Sequence, residues 1–268
     1  MLEIYQKITE LIDRGETFAV ATIIRAEGST PRGVGTKMII MRDQTTYGTI
    51  GGGCLESAAI SEALKALEEQ KPRIVSYTLE EEEKGGVGMR CGGKLELSIE
   101  LVQPERVLMI IGSGHIASAL TRLGKLVGFK VVVLDPFASK EEFPEADLVL
   151  AKPVDSGVAE VKITSQTYVV IVTRHQYDEA ALREVINSEA TYIGMVGSKN
   201  RVEMAFDTLK KEGVAESSLK RVYAPIGLDI GAETPGEIAT SIIAEIIKHH
   251  RGGTGRNLAL YRSCSSVQ

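Results

Sequence analysis

Val107-Leu108-Met109-Ile110-Ile111-Gly112-Ser113-Gly114-His115-Ile116-Ala117 is an apolar run that breaks into glycines and resumes with helical spacing. Residues 107–111 read as a buried strand. The Gly-x-Gly-x-x-Ala that follows lets the backbone turn and approach a bulky anion, which the start of a helix attracts through its free N–H groups. A second apolar run, Val131-Val132-Val133-Leu134, ends in Asp135, 21 residues beyond Gly114. An acid at the end of a second strand can accept hydrogen bonds from ribose hydroxyls. Strand, glycine turn, helix, strand and acid in this order predict a Rossmann-like βαβ unit, with Gly112 and Gly114 at a pyrophosphate and Asp135 at a ribose. His115 either donates to a phosphate or simply begins the helix. A Rossmann turn that binds no dinucleotide is the alternative, because fold does not fix function.

The alternation continues downstream. Strands are expected at 169–172 and 192–196, and helices at 115–127, 178–187, 199–212 and 235–249, which together make a parallel sheet. Thr173-Arg174-His175-Gln176-Tyr177-Asp178 follows a strand, at the end of the sheet where such folds bind ligands; a polar loop with Asp178 as helix cap is the plainer reading. Gly194-Met195-Val196-Gly197-Ser198-Lys199-Asn200-Arg201 enters a helix with Ser198 at the N-cap, and Lys199 and Arg201 beside it suit an anion. Thr234, Pro235 and Glu237 fit a capping box. The stretch 225–233 before it has no such explanation, and is read either as a connection or as a loop that closes over a ligand.

Upstream of Pro104 the pattern differs. A helix is expected over 2–14, strands at 18–26, 37–41, 47–50, 73–78 and 94–101, and a helix at 55–69. Residues 27–35 are too rich in glycine and proline for a regular element, and Glu80 to Lys84 is a charge run typical of a solvated surface. The expected fold class is therefore α/β: an N-terminal α+β domain over 1–103, a C-terminal Rossmann-like domain over 104–251, and a polar tail over 252–268.

Composition narrows the function classes. A hydrophobic fraction of 43% with 25% charged residues is that of a soluble globular chain rather than a disordered one. The absence of a run of about 18 apolar residues predicts no membrane span. Residues 1–5 lack the basic-then-apolar start of a signal peptide, so a cytoplasmic location is expected. The net charge of −5 argues against nucleic acid as the main partner. Three cysteines, an odd number, suit free thiols in a reducing compartment.

Two of those cysteines stand against glycines, in Gly51-Gly52-Gly53-Cys54-Leu55-Glu56 and in Met89-Arg90-Cys91-Gly92-Gly93. Cys54 falls at the start of the helix expected at 55–69, and helix N-termini favour thiolates. Glu56 opposes this electrostatically but can bond a neutral ligand. Arg90 favours a thiolate at Cys91. If the fold brings the two together, the thiols and the backbone of Gly52, Gly53 and Gly92 can hold a soft metal, a sulfur-bearing cofactor or a transferred sulfur atom. Two packed, incidental thiols are the alternative. Zinc is disfavoured: there is no Cys-x-x-Cys, and His115, His175, His249 and His250 all belong to the other domain. Cys264, in the tail, is read as incidental.

Together these motifs resemble the XdhC/CoxI family, the accessory proteins of xanthine dehydrogenase and related molybdenum hydroxylases. In the first domain the resemblance rests on residues 28–38, on 48–56 and on Cys91-Gly92-Gly93. In the second it rests on Gly112-Ser113-Gly114-His115, Asp135-Pro136, 194–198 and 225–235. The chain departs from it in carrying Thr173-Arg174-His175 where family members often carry Thr-His-Asp. The resemblance implies an accessory chaperone that binds the molybdenum cofactor (molybdopterin), supports its sulfuration and helps insert it into an apo-xanthine dehydrogenase or related hydroxylase. It maps the family's cysteines onto Cys54 and Cys91 as ligands to the molybdenum end. The cofactor's phosphate is then expected near Gly112 to Gly114, or near Ser198 to Arg201, Lys199 included. A cysteine desulfurase is an implied partner, and a homodimer is the expected assembly, since twofold dimers are the commonest oligomers. Two other functions compete: an NAD(P)-dependent oxidoreductase using the glycine fingerprint and Asp135, and a thiol-based sulfur carrier without pterin.

Overall fold

The structure, a computed structural model, describes residues 2–79, 92–173 and 177–259. The charge run at 80–84, Met89-Arg90-Cys91, Arg174-His175-Gln176 and Cys264 lie outside these described residues. The chain divides into two compact units, Met1–Pro104 and Glu105–Gln268.

The first unit contains α1 (Leu2–Asp13), β1 (Phe18–Glu27), β2 (Lys37–Met41), β3 (Thr46–Gly48), α2 (Gly53–Glu69), β4 (Arg73–Thr78) and β5 (Lys94–Val102). The strands form an antiparallel sheet in the order β3-β2-β1-β5-β4. Side chains alternate between the faces of a strand, and β1 is covered on both. Ala19, Ala21 and Ile23 face α2, which lays Leu55, Ala59, Ala63, Ala66 and Leu67 against them. Phe18 and Val20 meet Leu11 of α1. The alanines of α2 bring its axis close to the sheet, which fixes where its N-terminus, and so Cys54, emerges.

The second unit contains β6 (Val107–Ile111), α3 (His115–Leu126), β7 (Lys130–Leu134), β8 (Leu148–Leu150), α4 (Val154–Val158), β9 (Thr167–Ile171), α5 (Asp178–Val185), β10 (Tyr192–Met195), α6 (Lys199–Lys211), α7 (Glu216–Leu219), β11 (Val222–Tyr223) and α8 (Pro235–Arg251). All six strands are parallel, in the order β11-β10-β9-β6-β7-β8. Counted within the unit from β8, that is 3-2-1-4-5-6, the doubly wound Rossmann order, with its switch point between β6 and β9. Met109, Ile111, Val169 and Ile171 pack beneath α4, α5 and α6. Leu108, Ile110 and Val170 pack beneath α3 and α8.

The strand expected at 47–50 is shorter: after Gly48 the chain turns, and Ile50 enters the core without pairing. The elements β8, α4, α7 and β11 were not expected. At two to five residues they are too short to carry a periodic signal.

The capping box at the start of α8 is formed. Thr234 Oγ1 accepts from Glu237 N–H at 3.3 Å, and Glu237 Oε2 accepts from Thr234 N–H at 2.8 Å. Thr234→Ala is expected to cost about 1 kcal/mol and Thr234→Ser much less. Urea unfolding measures both; equal losses would deny the cap its role. Among the described residues no helix is long and apolar enough to cross a membrane.

Candidate functional site

In the first unit, Thr49 to Gly53 connects β3 to α2 through three glycines with positive φ. Gly51 has φ 138°, and a Cβ added there would lie 2.4 Å from Pro31 Cγ. Neither the conformation nor the space admits a side chain. One turn into α2, Glu56 folds back. Its Oε1 accepts from the Thr49 hydroxyl at 2.5 Å, from Gly52 N–H at 3.0 Å and from Ile50 N–H at 3.1 Å. Burial disfavours the charge, yet these donors outweigh it and hold the carboxyl below the usual glutamate range. Glu56 is therefore a strut for the glycine turn.

The strut presents Cys54. It is the second residue of α2, exposed and a free thiol. The N-cap is Gly52, which has no side chain to cover the helix end.

The described part of the second cysteine cluster meets the same neighbourhood. A Cβ on Gly93 would lie 2.2 Å from Ser29 O and 2.8 Å from Glu27 O. Gly92 N–H donates to Leu79 O at 2.8 Å, and Leu79 N–H donates to Gly93 O at 2.8 Å. The segment 27–31 thus touches both clusters: Pro31 lies against Gly51, and the backbone of Glu27 and Ser29 lies against Gly93. Cys91 itself is outside the described residues. The sequence marks 27–35 only as irregular; nothing local announces that it joins two glycine clusters.

In the second unit, Gly112 has φ 126°, and its Cβ would lie 2.4 Å from Val172 O. That glycine lets the ends of β6 and β9 touch. Gly114 is the N-cap of α3, in extended conformation and without a side-chain cap bond. His115, the first helical residue, is exposed. Asp135 is 3% exposed. Its Oδ1 accepts from Phe137 N–H at 2.8 Å and its Oδ2 from the Tyr177 hydroxyl.

Two expectations change here. Asp178 is not an N-cap: Tyr177 holds that position, and Asp178, buried, accepts from Thr173 Oγ1 and from the Arg201 guanidinium. Arg201 gives its Nη2 to that carboxylate, and its side chain also lines the cavity beside Ser198. Ser198 does stand at the N-cap of α6, but its side chain makes no cap bond. Ser198 and Lys199 are exposed. Ser198 helps line a cavity of about 310 Å³, together with Val196, Gly197, Arg201, Pro225, Ile226 and Ile238.

The start of the stretch 225–233 is bound to the fold. A Cβ on Gly194 would lie 2.3 Å from Ile226 Cδ1, so β10 needs a glycine where Ile226 packs. Gly227 N–H donates to Glu245 Oε2 at 3.0 Å, and the Ser241 hydroxyl donates to Leu228 O at 2.5 Å. Residues 226–228 are held by α8 rather than poised to close. Among the described residues no group of three or more His, Cys, Asp or Glu is placed to hold a metal ion.

The strand order and the glycine turn define the second unit as a Rossmann domain. Residues 108–246 match the family described as the XdhC Rossmann domain, and residues 11–78 match the XdhC and CoxI family. The chain belongs to the XdhC and CoxI family. It is 34% identical over 258 residues to the uncharacterised protein YqeB of Escherichia coli K12, covering 95% of this chain and 47% of that protein, so it spans about half of that relative's length. A probable xanthine dehydrogenase subunit from Bacillus subtilis is 23% identical, over 89% of this chain and 94% of that protein. Identity to the molybdenum cofactor insertion chaperone PaoD of Escherichia coli K12 is 24%, over 88% of this chain and 85% of that protein. A crystal structure described as a xanthine dehydrogenase from Bacillus halodurans superposes with a TM-score of 0.51 at 25% identity, over 95% of this chain and 97% of that one.

Proposed function

We propose that this chain is an accessory chaperone that takes up the molybdenum cofactor as cargo and delivers it to an apo-hydroxylase of the xanthine dehydrogenase type. The names of two relatives, a cofactor insertion chaperone and a probable xanthine dehydrogenase subunit, support the reading. The observation that carries it is the exposed Cys54 thiol on a turn of three glycines braced by Glu56. Thiolates are soft ligands that suit a sulfur-rich molybdenum centre, and the bare backbone of Gly52 and Gly53 lets a bulky ligand approach. In this reading Cys91 and Gly92 supply the second thiol and its approach. Taken by itself, the second unit has two helix starts without side-chain cap bonds that suit a phosphate, one at Gly114 and His115 after the Gly112 turn and one at Ser198 and Lys199. Support of sulfuration, with a cysteine desulfurase as sulfur source, and assembly as a homodimer complete the proposal. The NAD(P)-dependent alternative is not part of it, because Asp135 is 3% exposed and the Tyr177 hydroxyl holds one of its oxygens.

Activation of an apo-hydroxylase by cofactor-loaded protein tests the reading. Cys54→Ala is expected to reduce activation at least about tenfold, the scale on which even indirect metal contacts act. Unchanged activation would remove Cys54 from the function.

A further inference from the structure

We propose that Tyr177 is a specificity-determining residue that keeps ribose-bearing ligands off the Rossmann crevice of the second unit. The strand order puts Asp135 at the end of β7 on one side of β6, and Tyr177 beyond the end of β9 on the other. The Tyr177 hydroxyl nevertheless reaches Asp135 Oδ2, so the side chain spans the carboxyl end of β6, where the glycine turn begins. Dinucleotide folds use an acid at this position to accept the ribose hydroxyls. Here Oδ1 takes the Phe137 N–H at 2.8 Å, Oδ2 takes the phenol, and the carboxylate is 3% exposed. The phenol stands in for the ligand's hydroxyl.

Tyr177 is not a loosely placed side chain. It is the N-cap residue of α5, and the next residue, Asp178, is anchored by Thr173 and Arg201. Its ring packs against the core under α4, α5 and α6. A ribose must therefore displace a partly buried phenol–carboxylate hydrogen bond before it can make its own. The glycine fingerprint persists for a separate reason, since Gly112 is needed for contact with Val172. The chain keeps a dinucleotide fold while refusing the dinucleotide.

Calorimetric titration of the full chain with AMP and with NAD tests this, using wild type, Tyr177→Phe, Tyr177→Ala and the double variant Tyr177→Phe/Asp135→Asn. Tyr177→Phe keeps the ring packing and leaves Asp135 short of one donor, so nucleotide affinity is expected to rise at least about tenfold over wild type. Tyr177→Ala is expected to gain at least as much, and adding Asp135→Asn is expected to abolish the gain. Wild type binding as tightly as Tyr177→Phe would overturn the proposal, as would the absence of any gain in both single variants, or a gain that survives Asp135→Asn. The titration uses nucleotides rather than the molybdenum cofactor, so its failure leaves the chaperone reading standing, and the reverse holds.

Discussion

Gly112→Ala is expected to destabilise the second unit by about 4 kcal/mol or more, a large share of the stability of a typical domain. A side chain at φ 126° is strained wherever it points. This one would also point at backbone: its Cβ would lie 2.4 Å from Val172 O, 2.7 Å from Val172 C and 3.1 Å from Thr173 N. Those atoms have little room to yield. Val172 N–H is bonded to Ile111 O at 2.8 Å, and Gly112 N–H to Leu134 O at 2.9 Å. Relieving the clash means parting β6 from β9 at the switch point. Gly236→Ala is the control, since nothing lies within 4 Å of its Cβ direction and it falls in the first turn of α8. It is expected to be neutral or to stabilise by up to about 1 kcal/mol, by narrowing the unfolded ensemble and favouring the helix. Urea unfolding followed by circular dichroism compares the two; a loss under about 1 kcal/mol at Gly112 would mean that the turn serves a ligand rather than the sheet.

Glu56→Ala is expected to cost about 3 kcal/mol, because Thr49, Ile50 and Gly52 lose a charged acceptor together. Glu56→Gln keeps an acceptor oxygen without the charge and is expected to lose less. The pH dependence has a definite sign. Burial opposes the charge on Glu56, the donors outweigh burial, and the folded carboxyl is held below its ordinary range. A lowered folded value means that the unfolded chain binds the proton first. The contribution is then complete above the ordinary glutamate value of about 4.3 and fades as pH falls through the lower folded value. The stability gap between wild type and Glu56→Gln should therefore narrow as pH drops below about 4. A gap that stays constant with pH would show that Glu56 acts by shape alone. Because the turn presents Cys54, Glu56→Ala should weaken cofactor binding as well.

What could be read from sequence follows from how local each cause is. The Rossmann βαβ unit was legible because Gly112, Gly114 and Asp135 stand at fixed spacings along it. The capping box at Thr234 was legible because its partners are three residues apart. The partner of Arg201 was not legible, for the complementary reason. Beside a helix start, a guanidinium suits an anion by local rules, but Asp178, buried in another helix, pairs with it. Tyr177 and Asp135 are 42 residues apart, and no periodic signal links them. The contact of Gly93 with Glu27 and Ser29 joins distant strand ends through backbone atoms, so the glycines announced close approach without naming what approaches.

The most direct test of the chaperone reading is anaerobic titration of the full chain with the molybdopterin form of the cofactor. Wild type, Cys54→Ala and Cys264→Ala are compared under one condition, with near-ultraviolet circular dichroism to confirm that each is folded. Saturable binding to wild type and to Cys264→Ala, weakened at least about tenfold in a folded Cys54→Ala, is the expected result. Equal affinity of wild type and Cys54→Ala would contradict the assignment of the first unit's glycine-cysteine turn as the cofactor's seat.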